Sequence, residues 1–435
     1  MHSRAVDVSF SRPASSVAEG QDPHSGFFVV AGTNGSGKST LLRSIAACLA
    51  GPELAGTLSD SQSSWVSHGS SSATATVEIA RGGEGLVTGA GKTAEQFTAG
   101  LKWERIDGGS SRPKPYIPSN QTGGKMAERG LWSAKPTGWF AAGYGPFRRI
   151  SGSSGEAARL VSGDWTIARF ATLFREEASL AEAVQWLQQV NYRARSGRDS
   201  YSILEERVLR LLSDGLFPEN VHALRVDPDG LWVSDAGVES RVDEMSDGYR
   251  TVTALVTDII RQIHQCYSET IEWTETVTGS VQVLTSGVVL IDEIDVHLHV
   301  SWQRSIGPWL TTHFPNIQFI VTTHSPFIAQ TADPGGLIRI PRASEGRGPG
   351  VVNVDLFDRV TKGSADDAVL SELFGLDSPF SKEVDAKRDR LAFLERRVVR
   401  DLATTAETAE FADLVADILP SPMSRASQVA RTLRE

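Results

Sequence analysis

Apolar residues in this chain follow two spacings, and the places where one gives way to the other predict its elements. The run at 26–31 (GFFVVA) is continuously apolar, and 40–50 (TLLRSIAACLA) then repeats apolar residues at helical spacing. The order is strand, loop, helix. From 51 to about 135, Ser, Gly and Pro separate alternating runs such as TATVEIA and FTAGLKWERI, which predicts a strand-rich subdomain with long loops. Residues 139–144 read as another core strand, and 156–216 as mostly helical, clearest in SLAEAVQWLQQV and SILEERVLRLLSDGL and without sustained heptads. Strand character returns at 221–242, followed by a helix at 249–267 and an acidic hairpin in SETIEWTETVTGSVQ. Two fully apolar strands of the parallel-sheet type, 285–291 and 318–321, flank a helix at 302–314, and charged helices fill the chain beyond 361. The pattern predicts an α/β fold divided into 1–150, a helical lobe at 151–220, a second α/β half at 221–345 and a helical C-terminal region at 346–435.

Composition narrows the class only slightly. The 435 residues are 40% hydrophobic and 22% charged, as in ordinary folded proteins, and leave room for two or three lobes. A formal charge of -10 means that any nucleic-acid contact needs a local basic patch. Cys48 and Cys266 stand far apart and outside any metal-binding spacing, so both are expected to be reduced packing residues. The first residues, MHSRAVDVSF, lack a signal-peptide core, and no run approaches the roughly 20 apolar residues of a membrane span, so a cytoplasmic location with no membrane partner is expected.

Four motifs carry chemistry. In GTNGSGKST, residues 32–40, glycines let backbone amides turn toward a phosphate at a helix start. Asn34, Gly35, Ser36, Gly37, Lys38, Ser39 and Thr40 are the nucleotide-binding candidates, with Lys38 bridging the β- and γ-phosphates and the Ser39 hydroxyl on Mg²⁺. The strand VVLI delivers Asp292 and Glu293 to its end, where Asp292 suits the Mg²⁺ shell and Glu293 suits polarising the attacking water. In FIVTTHSP, His324 ends the next apolar strand within expected reach of a γ-phosphate. MSDGYR opens a helix whose first amides, beside Ser246 and Gly248, can receive an anion.

GTNGSGKST, MSDGYR, VVLIDEIDVHLH and IVTTHSPF, in this order, resemble the ABC ATPases of chromosome-maintenance and overcoming-lysogenization-defect type, and most nearly the ATPase subunits of Septu and retron anti-phage systems. The resemblance implies an ABC ATPase head that hydrolyses ATP. Two heads would sandwich two ATP molecules, Ser246 and Gly248 touching the partner's γ-phosphate and Asp295 lying at a communicating loop. It also implies a homodimer or higher oligomer and a separately encoded effector such as an HNH-type nuclease. The alternative is a repair or recombination ATPase that binds DNA directly, and a membrane-transporter motor is disfavoured by the DGYR signature. The glutamine that completes the Mg²⁺ shell in many such heads has no counterpart in AAGYGPFRR; Gln121 is near in sequence but in a loop. Arg148 and Arg149 are weighed equally as phosphate contacts and as a solvated basic turn. His297 and His299 are read chiefly as helix-start packing, with a metal role the lesser reading. No nuclease centre is legible after Pro326; the apolar stripes of the C-terminal helices suit completion of a local core, and the resemblance implies that they dock a partner instead.

Overall fold

The computed structural model describes residues 5–58, 65–67, 69–80, 96–105, 114–116, 126–132, 140–148, 165–217, 221–267, 271–346, 348–376, 378 and 380–418. In chain order it contains β1 (Gly26–Ala31), α1 (Lys38–Ala50), α2 (Pro52–Leu58), β2 (Ser72–Ala80), β3 (Gln96–Glu104), β4 (Lys114–Pro115) and β5 (Ala141–Tyr144). The helical stretch α3 (Trp165–Phe174), α4 (Ala181–Arg195) and α5 (Asp199–Ser213) precedes the strands β6 (Val221–Asp227), β7 (Gly230–Asp235) and β8 (Val238–Arg241). Then come α6 (Asp247–Tyr267), β9 (Trp273–Glu275), β10 (Val281–Val283), β11 (Gly287–Ile291), α7 (Val300–His313), β12 (Ile317–Thr323) and α8 (Pro326–Ala329). β13 (Leu337–Arg339), β14 (Gly350–Val351), α9 (Val354–Lys362), α10 (Ala365–Val369), α11 (Lys382–Val399) and α12 (Thr405–Ile418) complete the described chain.

The central sheet has the order β14-β13-β1-β12-β11-β5, parallel except for β14 at one edge. Its inner strands are apolar on both faces because helices cover both, so β1 buries all six of its residues. Phe28, Val30, Leu290 and Ile320 from three adjacent strands share one core with Leu42, Ile45 and Leu49 of α1. The α/β class and the parallel core expected from the apolar runs are borne out.

The strand-rich subdomain is the antiparallel sheet β2-β3-β4, whose Leu101 and Trp103 pack with Ala47 and Cys48 of α1. Trp65 stacks on Trp103 at 4.9 Å between ring centroids. Residues 52–58 fall in the stretch read as strands and loops but form α2, with Pro52 at its first position and Ala55 and Leu58 buried. The acidic hairpin is present as β9 and β10. Of the expected helical lobe, 151–164 lies outside the described residues, and 165–213 is helical as predicted, in three helices.

Two compact units divide the chain, 1–368 and 369–435. Within the second, α11 and α12 pair through Lys387–Asp417, Arg390–Glu410 and Arg397–Glu407 bridges, with Leu391 and Leu394 buried. Both cysteines are buried and unpaired, and burial pushes their thiol pKa values up, to about 12 for Cys48 and about 11 for Cys266. No described helix is long and apolar enough to cross a membrane.

One buried polar network joins the helical lobe to the core. Asp258 of α6 accepts from Tyr144 Oη at 3.0 Å and pairs with Arg261 at 2.7 Å, while Arg261 reaches Glu182 of α4 at 3.1 Å. Removing one partner of a buried pair leaves an uncompensated charge, at a cost of about 3–5 kcal/mol. Asp258→Ala is therefore expected to lower unfolding free energy by about 3 kcal/mol in denaturant titration, and a change under about 1 kcal/mol would contradict the network's importance.

Candidate functional site

The parallel strands end together along one edge of the sheet, which is where loops from several strands converge in such folds. β1 runs into the glycine loop 32–37, and α1 begins at Lys38. Gly37 has φ 102°, a left-handed conformation that glycine adopts without steric cost and that swings the chain directly into the helix. Asn34, Gly35 and Thr40 are exposed around the loop. Thr33 Oγ1 and Ser36 Oγ are buried with no hydrogen-bond partner. Lys38 folds back over the loop, its Nζ donating to Gly32 O at 2.8 Å and Thr33 O at 3.3 Å. Burial lowers its pKa, against the opposing pull of Asp292, Glu293 and Asp295.

Asp292, buried at the end of β11, gathers two hydroxyls on one oxygen: Oδ1 accepts from Ser39 Oγ at 3.1 Å and from Thr322 Oγ1 at 2.5 Å. The half-buried Glu293 follows with φ 47°, a conformation uncommon outside glycine. Such a position costs on the order of 1–3 kcal/mol and persists only where its surroundings fix it. Here Glu293 N donates to Thr322 Oγ1 at 2.7 Å and Ile294 N to Thr322 O at 3.0 Å.

Arg148 completes the restraint from the other side. Its guanidinium is 2% exposed and donates to Gly145 O at 2.8 Å, Asp292 O at 3.0 Å, Glu293 O at 3.1 Å, Ile294 O at 3.2 Å and Val296 O at 3.4 Å. Burial lowers its pKa to about 10 while Asp295, Asp292 and Glu293 hold it up, so it remains a cation at neutral pH. This corrects both sequence readings of Arg148, because it is neither a solvated basic turn nor free to reach phosphate. Arg149 and Gln121 lie outside the described residues.

β12 ends in Thr322 and Thr323, and His324 follows directly. Asp295 Oδ1 accepts from Thr323 Oγ1 at 2.5 Å and from His324 N at 3.3 Å, which ties the loop after Glu293 to the neighbouring strand. The His324 ring meets solvent, yet partial desolvation and then the Lys38 charge lower its pKa, with Asp295, Glu293 and Asp292 pulling the other way. Ser325 caps α8 and donates to Gln303 Oε1 at 2.7 Å, and Gln303 Nε2 donates to Leu298 O at 2.8 Å.

The MSDGYR segment packs on the same loop. Ser246 is exposed just before α6, and Arg250 pairs with Asp247 within the first turn. Gly248 is buried: a Cβ there would come within 2.8 Å of the Trp302 ring and 3.1 Å of His297 O. Tyr249 meets Trp302 edge-on at 4.7 Å and stacks with Phe217 at 5.8 Å. Close packing therefore accounts for the glycine independently of any anion. His299 caps α7, its Nδ1 accepting from Ser301 N at 3.3 Å, as helix-start packing predicts. Among the described residues no cluster of three or more His, Cys, Asp or Glu side chains is placed to hold a metal.

Lys38, Ser39, Asp292, Glu293 and His324 thus share one edge of the sheet, and Ser246 and Gly248 start a helix that packs on the loop after Glu293. Thr322, Thr323, Gln303 and Trp302 were not singled out by the motif reading. The Thr-Thr pair before His324 was visible, but its hydroxyl roles depend on strand register.

Comparison with known proteins finds similarity to ATPase families and to named ATPases. A family described as "AAA domain, putative AbiEii toxin, Type IV TA system" matches residues 231–329, and another described as "AAA domain" matches 10–128. The chain is distantly homologous to "Retron Ec83 probable ATPase" of Escherichia coli, 38% identical over 31% of this chain and 24% of that protein. "Retron Vc95 probable ATPase" of Vibrio cholerae is 33% identical over 31% of this chain and 26% of that protein. The Septu protein PtuA of Bacillus mycoides is 41% identical over 20% of this chain and 10% of that protein. The matched region thus spans about a quarter or less of these three relatives. Among solved structures, a Smc head bound to the C-winged helix domain of ScpA aligns over 71% of this chain and 85% of that one, at 17% identity and a TM-score of 0.43. The resemblance to ATPases of retron and Septu type is borne out.

The electrostatics of His324 are open to measurement. Desolvation and Lys38 disfavour its protonated form, so the imidazole is neutral further into acid than an unperturbed one. An NMR titration of metal-free protein is expected to give a midpoint below about 6.5, and Lys38→Met should move it upward. A midpoint unmoved by Lys38→Met would contradict the assigned cause.

Proposed function

We propose that this chain binds MgATP at the carboxyl edge of its sheet, hydrolyses it, and dimerises around it to control a separately encoded effector. The observation that carries the reading is the convergence of Lys38, the Ser39–Asp292 pair, Glu293 and His324 at that edge. The residues fit the ligand. Thr33 and Ser36 hold unpartnered buried hydroxyls in the glycine loop, Lys38 lies beside them, and Ser39 and Asp292 form the hydroxyl–carboxylate set on which Mg²⁺ sits in phosphate sites. Bound there, Mg²⁺ would offset the charge of the β- and γ-phosphates. Glu293 acts as the base that orients the attacking water and takes its proton, and His324, neutral at physiological pH, is placed to hydrogen-bond the γ-phosphate.

The exposed Ser246 and the first amides of α6 suit reception of a partner copy's γ-phosphate, which supports an ATP-dependent dimer. The proposed effector, such as an HNH-type nuclease, is suggested by the resemblance to retron and Septu ATPases. Direct DNA binding has one observation in its favour: the last turn of α4 and its connection to α5 expose Arg193, Arg195 and Arg198 on an otherwise acidic chain. Replacing these three by Gln would abolish a salt-sensitive DNA affinity if that reading holds.

Glu293→Gln is expected to retain ATP binding, lose on the order of 10²-fold or more in turnover, and accumulate as an ATP-dependent dimer in light scattering. Ser246→Arg should prevent that dimer. Undiminished hydrolysis by Glu293→Gln would remove Glu293 as the base, and a dimer unaffected by Ser246→Arg would remove the sandwich.

A further inference from the structure

The turn that follows β5 holds a buried cation engaged with five backbone carbonyls. Arg148 sits at its end, and through five carbonyls it grips both its own turn, at Gly145, and four residues of the segment 292–296. Those four include Asp292 and Glu293. Strand register stops at Ile291, the last β11 residue paired with β5 and β12, and beyond it Tyr144 and Thr322 hold only the amides of Asp292, Glu293 and Ile294, not the carbonyls. Beyond it, Glu293 takes up its left-handed φ of 47°, and Val296 is followed by His297 with φ 66°. A backbone with two positive-φ side-chain-bearing residues in five needs external restraint, and the guanidinium fork supplies it.

The turn is itself anchored. Tyr144, the last residue of β5, donates from its hydroxyl to Asp258 in the middle of α6, and Tyr144 O accepts from Asp292 N at 2.8 Å. Thr172 O of α3 lies so close to Gly145 that a Cβ there would approach it to 2.1 Å, so the turn is wedged against the helical lobe. A continuous set of buried contacts therefore runs from α6, which opens with MSDGYR, through Tyr144 and Arg148 to the carbonyl of Glu293.

We propose that Arg148 is a positioning residue for ATP hydrolysis, fixing the backbone of the segment 292–296 so that Glu293 is presented in its working conformation, with Tyr144 tying that setting to α6. Arg148 touches neither nucleotide nor water in this scheme. It acts through the peptide groups on either side of the base. The inference rests on the assignment of Glu293 as the base.

Its signature is a split between turnover and binding. Lys offers one ammonium in place of a planar fork, so Arg148→Lys retains the buried charge but can satisfy only part of the carbonyl set. With the full chain and MgATP, Arg148→Lys is expected to lower kcat by at least about 10-fold, while KM and the Kd of a fluorescent ATP analogue stay within about 3-fold. A misplacement of about 1 Å at a reacting group suffices for losses of this order. Added guanidinium should recover part of the turnover of Arg148→Gly, as a merely destabilised protein would not. A folded Arg148→Lys with parental kcat, or one losing affinity in parallel with turnover, overturns the proposal.

If Arg148→Lys fails to fold, Tyr144→Phe carries the test. It keeps the ring in place, removes the hydroxyl link to Asp258, and should lower kcat by about 3-fold or more at constant KM; an unchanged kcat overturns the proposal. Failure of the underlying assignment is distinguishable, because then the parent and Glu293→Gln would hydrolyse ATP equally.

Discussion

One carboxylate oxygen organises the site. Asp292 Oδ1 accepts from Ser39 at the start of α1, 253 residues away, and from Thr322 near the end of β12, 30 residues away, so three segments meet at a single atom. Neither hydroxyl reaches it unless β1, β12 and β11 lie side by side in register, with Ala31 opposite Thr323 and Ile291 opposite Val321. A one-residue slip would carry every side chain to the opposite face of the sheet, out of the core it now fills. The chemistry at the edge thus depends on burial in the middle.

Around that atom the protein spends backbone strain in one place and restrains it from two sides. Thr322 holds the amide of Glu293 through its hydroxyl and that of Ile294 through its carbonyl, and Arg148 holds the carbonyls from below. A buried guanidinium surrounded by peptide oxygens is costly to desolvate, and its position beside three carboxylates offsets that cost. The loop continues into Asp295, which is bound to Thr323, and into α7, whose Trp302 seats Gly248. The base, the histidine strand and the start of α6 are consequently parts of one packed assembly.

The motifs were legible because their chemistry is local. A glycine loop between a strand and a helix, and acids at a strand end, announce themselves within about ten residues, and Lys38, Ser39, Asp292, Glu293 and His324 lie at one edge of the sheet. Arg148 was misread because charge in a Gly-Pro turn normally means solvent, and only the tertiary fold shows the five carbonyls around it. Gly248 was read as leaving amides open, whereas Trp302, more than fifty residues on, gives it a packing role invisible in its neighbours. Residues 52–58 lie in a stretch read as strands and loops, but Pro52 at a helix start and the buried Ala55 and Leu58 favour α2.

The sheet order has a consequence for how the molecule comes into being. β1 and its glycine loop are made early, but the strand that pairs with β1 along its whole length, β12, follows about 290 residues later. At synthesis rates of about 5–20 residues per second, that interval is roughly 15–60 s. Throughout it, six consecutive apolar residues of β1 lack their partner strand, an aggregation-prone condition that favours delayed pairing or chaperone cover on the ribosome. The same arrangement means that a chain interrupted before β12 carries a complete glycine loop and no assembled site, so prematurely terminated products are silent by construction.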